Sequence, residues 1–216
     1  DIFSSNKKYD WVCIDLEHGN IDYGKLGDIF RIIQLNGKIP FARLKSSNEN
    51  EAQRVLDLGA MGLILPKVES SEDVVKIIES SIHPYHGKRG HAFFRGNIFG
   101  KFFNEYNKFF KKPVIIAMIE TSKGLESIND ILSVKNLDGI FVGPYDLTAS
   151  LGVTGNLKSK KYLKALKNII YYTENKKKIV GIHVVDNSKK LLNQNIKKGF
   201  KFIAYSMDTV LLNIKE

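Results

Sequence analysis

At 216 residues, with 43% hydrophobic and 26% charged content, the chain is sized and composed for one folded domain with a substantial core, which excludes an intrinsically disordered protein. No apolar run approaches the roughly 20 residues needed to span a bilayer, so no membrane partner is expected. The net charge of +10 raises nucleic acid as a partner, but lysines such as Lys158, Lys160, Lys161, Lys164 and Lys167 are scattered through helical and loop positions without a nucleic-acid motif. They read as a solvated basic surface.

In chain order, short apolar runs alternate with amphipathic stretches, the pattern of βα units around a parallel sheet. Strands are predicted at Trp11–Leu16, Pro40–Leu44, Gly62–Val68, Val114–Ile119, Gly139–Val142, Ile179–Val185 and Phe202–Ser206. Most lack strict alternation, as expected where both sheet faces are covered. Helices are predicted at Ile21–Leu35, Asn50–Leu58, Ser71–Ser81, Gly124–Leu132, Ser159–Asn175 and Ser188–Lys198, the last stopped by Gly199.

The long departure is His83–Lys112, with four glycines and six aromatics from Phe93 to Tyr106. An insertion of this length reads either as an active-site loop or as a helix pair packing its aromatics on the barrel wall. Seven strands are one fewer than a closed eight-stranded barrel, and the polar stretch before Trp11 is too short to supply another strand and helix. The expectation is a single (β/α)-barrel domain over 1–216 whose first strand is absent from this chain.

Cys13 has no partner in the chain, so no internal disulfide forms, which fits a reducing cytoplasm. The chain begins at Asp1 rather than methionine, which leaves a preceding segment open.

Polar residues fall where strands end, the position from which catalytic groups project in parallel α/β sheets. Asp15, Glu17 and His18 close the first strand, Arg43 the second, Glu120 follows the fourth and Asp146 follows the fifth. Singly, each reads as a helix cap or a surface ion pair. Together they supply oxygen ligands for a hard divalent ion, an acid/base group and a fixed cation. Two carboxylates with further positions open to water or substrate suit Mg²⁺ or Mn²⁺, and tolerate Co²⁺. His183 reads either as facing the barrel centre or as a satisfied core histidine, the commoner case. His83, His86 and His91 lack a recognisable metal spacing.

The stretch Asp10-Trp11-Val12-Cys13-Ile14-Asp15-Leu16-Glu17-His18-Gly19 resembles the first-strand signature of the HpcH/HpaI aldolase family, the class II pyruvate aldolases. Further matches follow in the family's order: Phe41-Ala42-Arg43, Leu56-Asp57-Leu58-Gly59-Ala60 with Leu65-Pro66-Lys67-Val68, and Gly87-Lys88-Arg89-Gly90 with Arg95. Met118-Ile119-Glu120-Thr121 and Gly143-Pro144-Tyr145-Asp146-Leu147 complete the set.

The resemblance covers Asp10–Asp208 and implies a TIM (β/α)8 barrel assembled into trimers or hexamers. It implies reversible cleavage of a 4-hydroxy-2-oxo acid to pyruvate and an aldehyde through an enolate stabilised by a divalent metal. Carried over by position, Glu120 and Asp146 correspond to metal ligands and Arg43 to the group on the ketone oxygen. His18 corresponds to the acid/base, polarised by Asp15, with Glu17 behind it. The backbone around Tyr145 and Asp146 would hold the substrate carboxylate, Asp57 would contribute to a neighbouring subunit's site, and Arg89 would lie near the aldehyde end. Met118 and Tyr145 depart from residues common in the family. Related citrate-lyase-like barrels leave a second reading, a lyase acting on a CoA thioester or phosphorylated three-carbon acid, and the absent strand leaves a third, a non-catalytic barrel subunit.

Overall fold

The computed structural model describes residues 1–84, 86–109 and 112–213. The chain divides into two compact units, Asp1–Pro66 with Glu72–Ile116, and Lys67–Ser71 with Ala117–Glu216. The fold is α/β, with seven strands alternating with helices, and the described ladders are parallel.

The first unit carries α1 (Ile2–Ser5), β1 (Trp11–Asp15), α2 (Tyr23–Leu35), β2 (Ile39–Arg43), α3 (Glu49–Leu58), β3 (Gly62–Leu65) and α4 (Ser71–Ser81). A 3₁₀ turn (Arg95–Asn97) and α5 (Phe103–Phe109) follow, and β4 (Val114–Ile119) leads into the second unit. There α6 (Ser122–Glu126), α7 (Ile128–Ser133), β5 (Gly139–Val142), α8 (Pro144–Ser150), α9 (Lys160–Asn175), β6 (Ile179–Val184), α10 (Lys189–Lys197), β7 (Phe202–Tyr205) and α11 (Asp208–Leu212) complete the chain.

Local chemistry sets the element ends. The Asp22, Asn48, Ser159 and Ser188 side chains accept amide hydrogens in the first turns of α2, α3, α9 and α10, satisfying donors that have no intrahelical partner. Gly59 terminates α3 at φ 117°, and Gly199 follows α10 at φ 100°, backbone that a side chain would strain. Leu26, Phe30 and Ile33 of α2 and Ala52, Val55 and Leu56 of α3 are buried, the apolar stripes read from the sequence.

Two boundaries differ from expectation. The strand predicted over Gly62–Val68 stops at Leu65, because Pro66 has no amide hydrogen for a ladder and Lys67 turns left-handed at φ 48°. The helix predicted over Gly124–Leu132 is two short helices meeting at Ser127. Within the first of them Gly124 sits close on another backbone segment: an added Cβ would lie 2.4 Å from the Val68 carbonyl oxygen.

The aromatic insertion splits its side chains. Phe94 is buried against Tyr106, with ring centroids 5.1 Å apart, while Phe93, Ile98 and Phe99 stand exposed. Residues 85, 110 and 111 of this segment lie outside the described residues. No helix among the described residues is long and apolar enough to cross a membrane.

Candidate functional site

Asp15 and Arg43 occupy registered positions at the carboxyl ends of β1 and β2, so their side chains leave the same face of the ladder. The guanidinium is gripped from two sides. Nε donates to Asp15 Oδ1 at 2.8 Å and Nη2 to Oδ2 at 2.5 Å, and Nη1 lies 3.3 Å from Glu17 Oε2. Asp15 Oδ1 also accepts the amides of Glu17 and His18 at 3.0 and 3.3 Å. Burial pushes the Asp15 carboxyl pKa up, but the hydrogen bonds and charge of Arg43 outweigh it and hold the group below its ordinary 3.8.

The Asp15 carboxylate thus engages Arg43 and two backbone amides. The carboxylate recorded within ion-pair range of the His18 ring is Glu17, 3.8 Å from Nε2. The His18 side chain is 64% exposed and that of Glu17 only 7%, so an open imidazole stands over a buried acid. Cys13, on the strand leading to Asp15, is pushed up to about 12 by burial first and by the Asp15 charge second, which marks an inert thiol.

Asp57 and Arg89 pair elsewhere in the same unit, Nη2 donating to Oδ1 at 2.7 Å. The Arg89 side chain is 1% exposed and that of Asp57 40%. The enclosed arginine supports the acid. Its guanidinium carbon lies 5.0 Å from the Phe94 ring centroid, and Nε and Nη1 are buried without a hydrogen-bond partner among the described residues. His83 Nδ1 donates to the Arg89 carbonyl oxygen at 3.3 Å, and the ring stacks on His91 at 4.6 Å. Burial, with the Arg89 charge second, pushes the His83 pKa down to about 4. These histidines are packing elements of the insertion.

In the second unit, Glu120 follows β4 and is 2% exposed. The left-handed turn at Lys67 aims a backbone amide at it, with Lys67 N donating to Oε1 at 2.7 Å. A Cβ added to Gly143 would lie 2.7 Å from Glu120 Oε2 and 2.7 Å from Met118 Cε. The glycine thus lets the Glu120 carboxylate and the Met118 side chain approach the backbone closely. Tyr145 and Asp146 follow in the first turn of α8, both exposed.

The buried Glu120 carboxylate and the exposed Asp146 carboxylate three residues past the glycine are hard oxygen donors of the kind suited to a hard divalent ion. Among the described residues no group of three or more His, Cys, Asp or Glu would hold a metal by itself. An ion held by these two carboxylates would complete its shell from small molecules, which fits the residues expected to bind it.

Sequence reading missed the parts played by Lys67 and Gly143. Both lie inside quoted motifs, and the signals were present: a proline stopping a strand just before Lys67, and a glycine just past the apolar run of β5. What neither signal contains is the carboxylate that each one serves.

The model of the HpcH/HpaI aldolase/citrate lyase family matches residues 4–213. The hydroxypyruvate/pyruvate aldolase of Roseobacter denitrificans is 28% identical over 209 residues, covering 96% of this chain and 81% of that protein. The 2-keto-3-deoxy-L-rhamnonate aldolase of Salmonella gallinarum is 28% identical over 205 residues, covering 94% and 76%. A solved HpcH/HpaI aldolase/citrate lyase family protein from Burkholderia cenocepacia superposes with a TM-score of 0.89 at 27% identity, covering 96% of this chain and 83% of that one. With the family matched across nearly its whole length, the chain belongs to the HpcH/HpaI aldolase/citrate lyase family.

Proposed function

We propose that the chain is a class II aldehyde-lyase that reversibly cleaves a 4-hydroxy-2-oxo acid to pyruvate and an aldehyde. The observation that carries this reading is the buried Glu120 carboxylate, held by the Lys67 amide and packed close against the Gly143 backbone. Glu120 and Asp146 are the proposed ligands of a divalent metal, Mg²⁺ or Mn²⁺ with Co²⁺ tolerated. The bound ion would supply positive charge against the negative charge that develops on the 2-oxo oxygen.

Cleavage breaks the C3–C4 bond, leaves its electron pair on the pyruvate fragment as an enolate, and removes the proton of the C4 hydroxyl. His18 is the proposed acceptor of that proton. Its exposed ring favours this role, with Glu17 as the acid nearest the ring. Arg43 is the proposed cation for the enolate oxygen, held in position by Asp15 and Glu17 so that little side-chain freedom remains to be lost on binding. Asp57 is the proposed contact to substrate from a neighbouring copy, and Tyr145 borders the pyruvate side.

The same proposal makes the seven strands those of a TIM (β/α)8 barrel in a single domain, working in the cytoplasm as a trimer or hexamer. The exposed Phe93, Ile98 and Phe99 favour assembly, since apolar surface of this kind is commonly covered by a second chain. The relatives named for pyruvate and 2-keto-3-deoxy-L-rhamnonate chemistry support 2-oxo acids and aldehydes as substrates.

Decarboxylation of oxaloacetate needs the same enolate stabilisation and no aldehyde. Full-length protein should decarboxylate it with Mn²⁺ and stop on chelation, and Glu120→Gln and Asp146→Asn should each abolish the metal-stimulated rate. His18→Ala should impair aldol cleavage more than decarboxylation. Turnover that ignores chelation, or equal losses in both reactions for His18→Ala, would overturn the assignments.

A further inference from the structure

Tyr23 and Glu51, both in the first unit, have no part in the chemistry above, yet they join the two segments that carry much of it. β1 ends at Asp15, and residues 16–22 run from it past Glu17 and His18 to Tyr23, the first residue of α2. β2 ends at Arg43, and residues 44–48 run from it to α3, whose first turn holds Glu51. Tyr23 Oη donates to Glu51 Oε1 at 2.5 Å.

Glu51 is 8% exposed, and each of its carboxylate oxygens receives a donor. Oε2 accepts the amide of Lys45 at 3.0 Å, two residues past Arg43, while the Glu51 amide donates to Asn48 Oδ1 at 2.9 Å. Burying a carboxylate is costly unless its oxygens are hydrogen-bonded. Here one oxygen is met by a phenol from the first segment and the other by an amide from the second. A glutamine offers one acceptor oxygen where a glutamate offers two, so it would satisfy one of these donors and turn its NH₂ towards the other.

Burial first, and the Glu51 hydrogen bond second, push the Tyr23 pKa up to about 12, so the phenol keeps its proton and stays the donor. Lys45 Nζ and Arg54 Cζ lie 5.3 and 4.8 Å from its ring centroid, adding cation–π attraction that holds the ring in place.

The His18 segment is thus fixed at both ends. At its start, Asp15 Oδ1 accepts the Glu17 and His18 amides, and a Cβ added to Gly19 would lie 2.1 Å from the Asp15 carbonyl oxygen. At its far end the anchor is the Tyr23 hydroxyl, and the group it grips belongs to the helix that follows Arg43. Arg43 has its own supports in Asp15 and Glu17, so its placement does not depend on Tyr23.

We propose that Tyr23 and Glu51 are positioning residues that set the His18 ring against the substrate hydroxyl by tying the segment after β1 to the segment after β2. The inference rests on the aldolase reading, in which His18 takes the C4 hydroxyl proton, and identifies what holds that base in place. A base must lie within hydrogen-bond reach of the proton it takes, and a small misplacement lowers the rate while the substrate still binds.

The test compares cleavage of 4-hydroxy-2-oxopentanoate with decarboxylation of oxaloacetate, both by the full chain with Mn²⁺. Tyr23→Phe keeps the ring and its cation contacts and removes only the hydroxyl. It should lower kcat for cleavage by about tenfold or more with KM little changed, and leave decarboxylation within about twofold. Glu51→Gln should shift the same ratio in the same direction. Together the two substitutions should lose less than the product of their single losses, because they remove one shared contact. Equal losses in both reactions, or losses that multiply in the double variant, overturn the proposal. Amide hydrogen exchange gives a readout independent of turnover. In Tyr23→Phe the amides of residues 17–22 should exchange about tenfold faster while those of β1 and β2 keep their wild-type rates, and unchanged exchange refutes the tie. Wild-type protein inert towards both substrates would instead overturn the aldolase reading, a result that the exchange of residues 17–22 tells apart from failure of the tie.

Discussion

Two arginine–aspartate pairs in the first unit have nearly the same local chemistry and differ in how far the cation is enclosed. In Arg43–Asp15 the cation is 20% exposed and the acid 32%. In Arg89–Asp57 the cation is 1% exposed and the acid 40%. Arg43 stands at the end of a strand with acids around it, so its charge is aimed and still reachable. Arg89 lies beside Phe94, its Nε and Nη1 buried without a hydrogen-bond partner among the described residues. The acid is the more exposed member of both pairs, and what the packing changes is how open the cation is.

The sharpest way to break this comparison is to remove each cation in turn. Arg43→Ala should lower kcat/KM for oxaloacetate decarboxylation by on the order of 10²-fold or more, as loss of an oxyanion-type donor does, with little change in the urea midpoint. Arg89→Met should act on stability, by roughly 3 kcal/mol, because truncating one member of a buried pair strands its partner groups. A comparable loss of stability in both variants would erase the distinction.

Acid titration sharpens the contrast further. His83, beside Arg89, is held neutral in the fold, its pKa pushed down to about 4 from 6.5. The unfolded chain binds that proton more readily, so the contribution is fully present above pH 6.5 and is lost as pH falls from there towards 4. The urea midpoint should fall across that window, and His83→Gln should flatten the slope. The smallest effect belongs to Asp15. Its pKa is held below 3.8 by Arg43, so its contribution is present above 3.8 and disappears as pH drops through the lowered value. Asp15→Asn should remove that last acid limb from the midpoint-against-pH curve while leaving the His83 window intact.

Much of the fold was legible because burial on both sheet faces writes continuous apolar runs, and covering helices write amphipathic ones. Trp11–Asp15, Val114–Ile119 and Gly139–Val142 were read at or within a residue of their ends. Elements whose ends depend on remote backbone were not: β3 stops at Leu65, just before Lys67 turns to serve Glu120, and the helix read over Gly124–Leu132 is broken at Ser127. At the candidate site the residue types were legible, and the partners were not. Asp15 and Glu17 differ by two positions, and only packing turned the first to Arg43 and left the second beside the His18 ring.

Side-chain type, strand parity and glycine placement are local properties of the chain, and they sufficed for the α/β class, the family and the carboxylates to which chemistry is assigned. Solvent access and hydrogen-bond pairing depend on atoms distant in sequence, so the tertiary structure alone decided that Arg89 is enclosed, that Asp15 restrains Arg43, and that the Gly143 backbone lies close against Glu120.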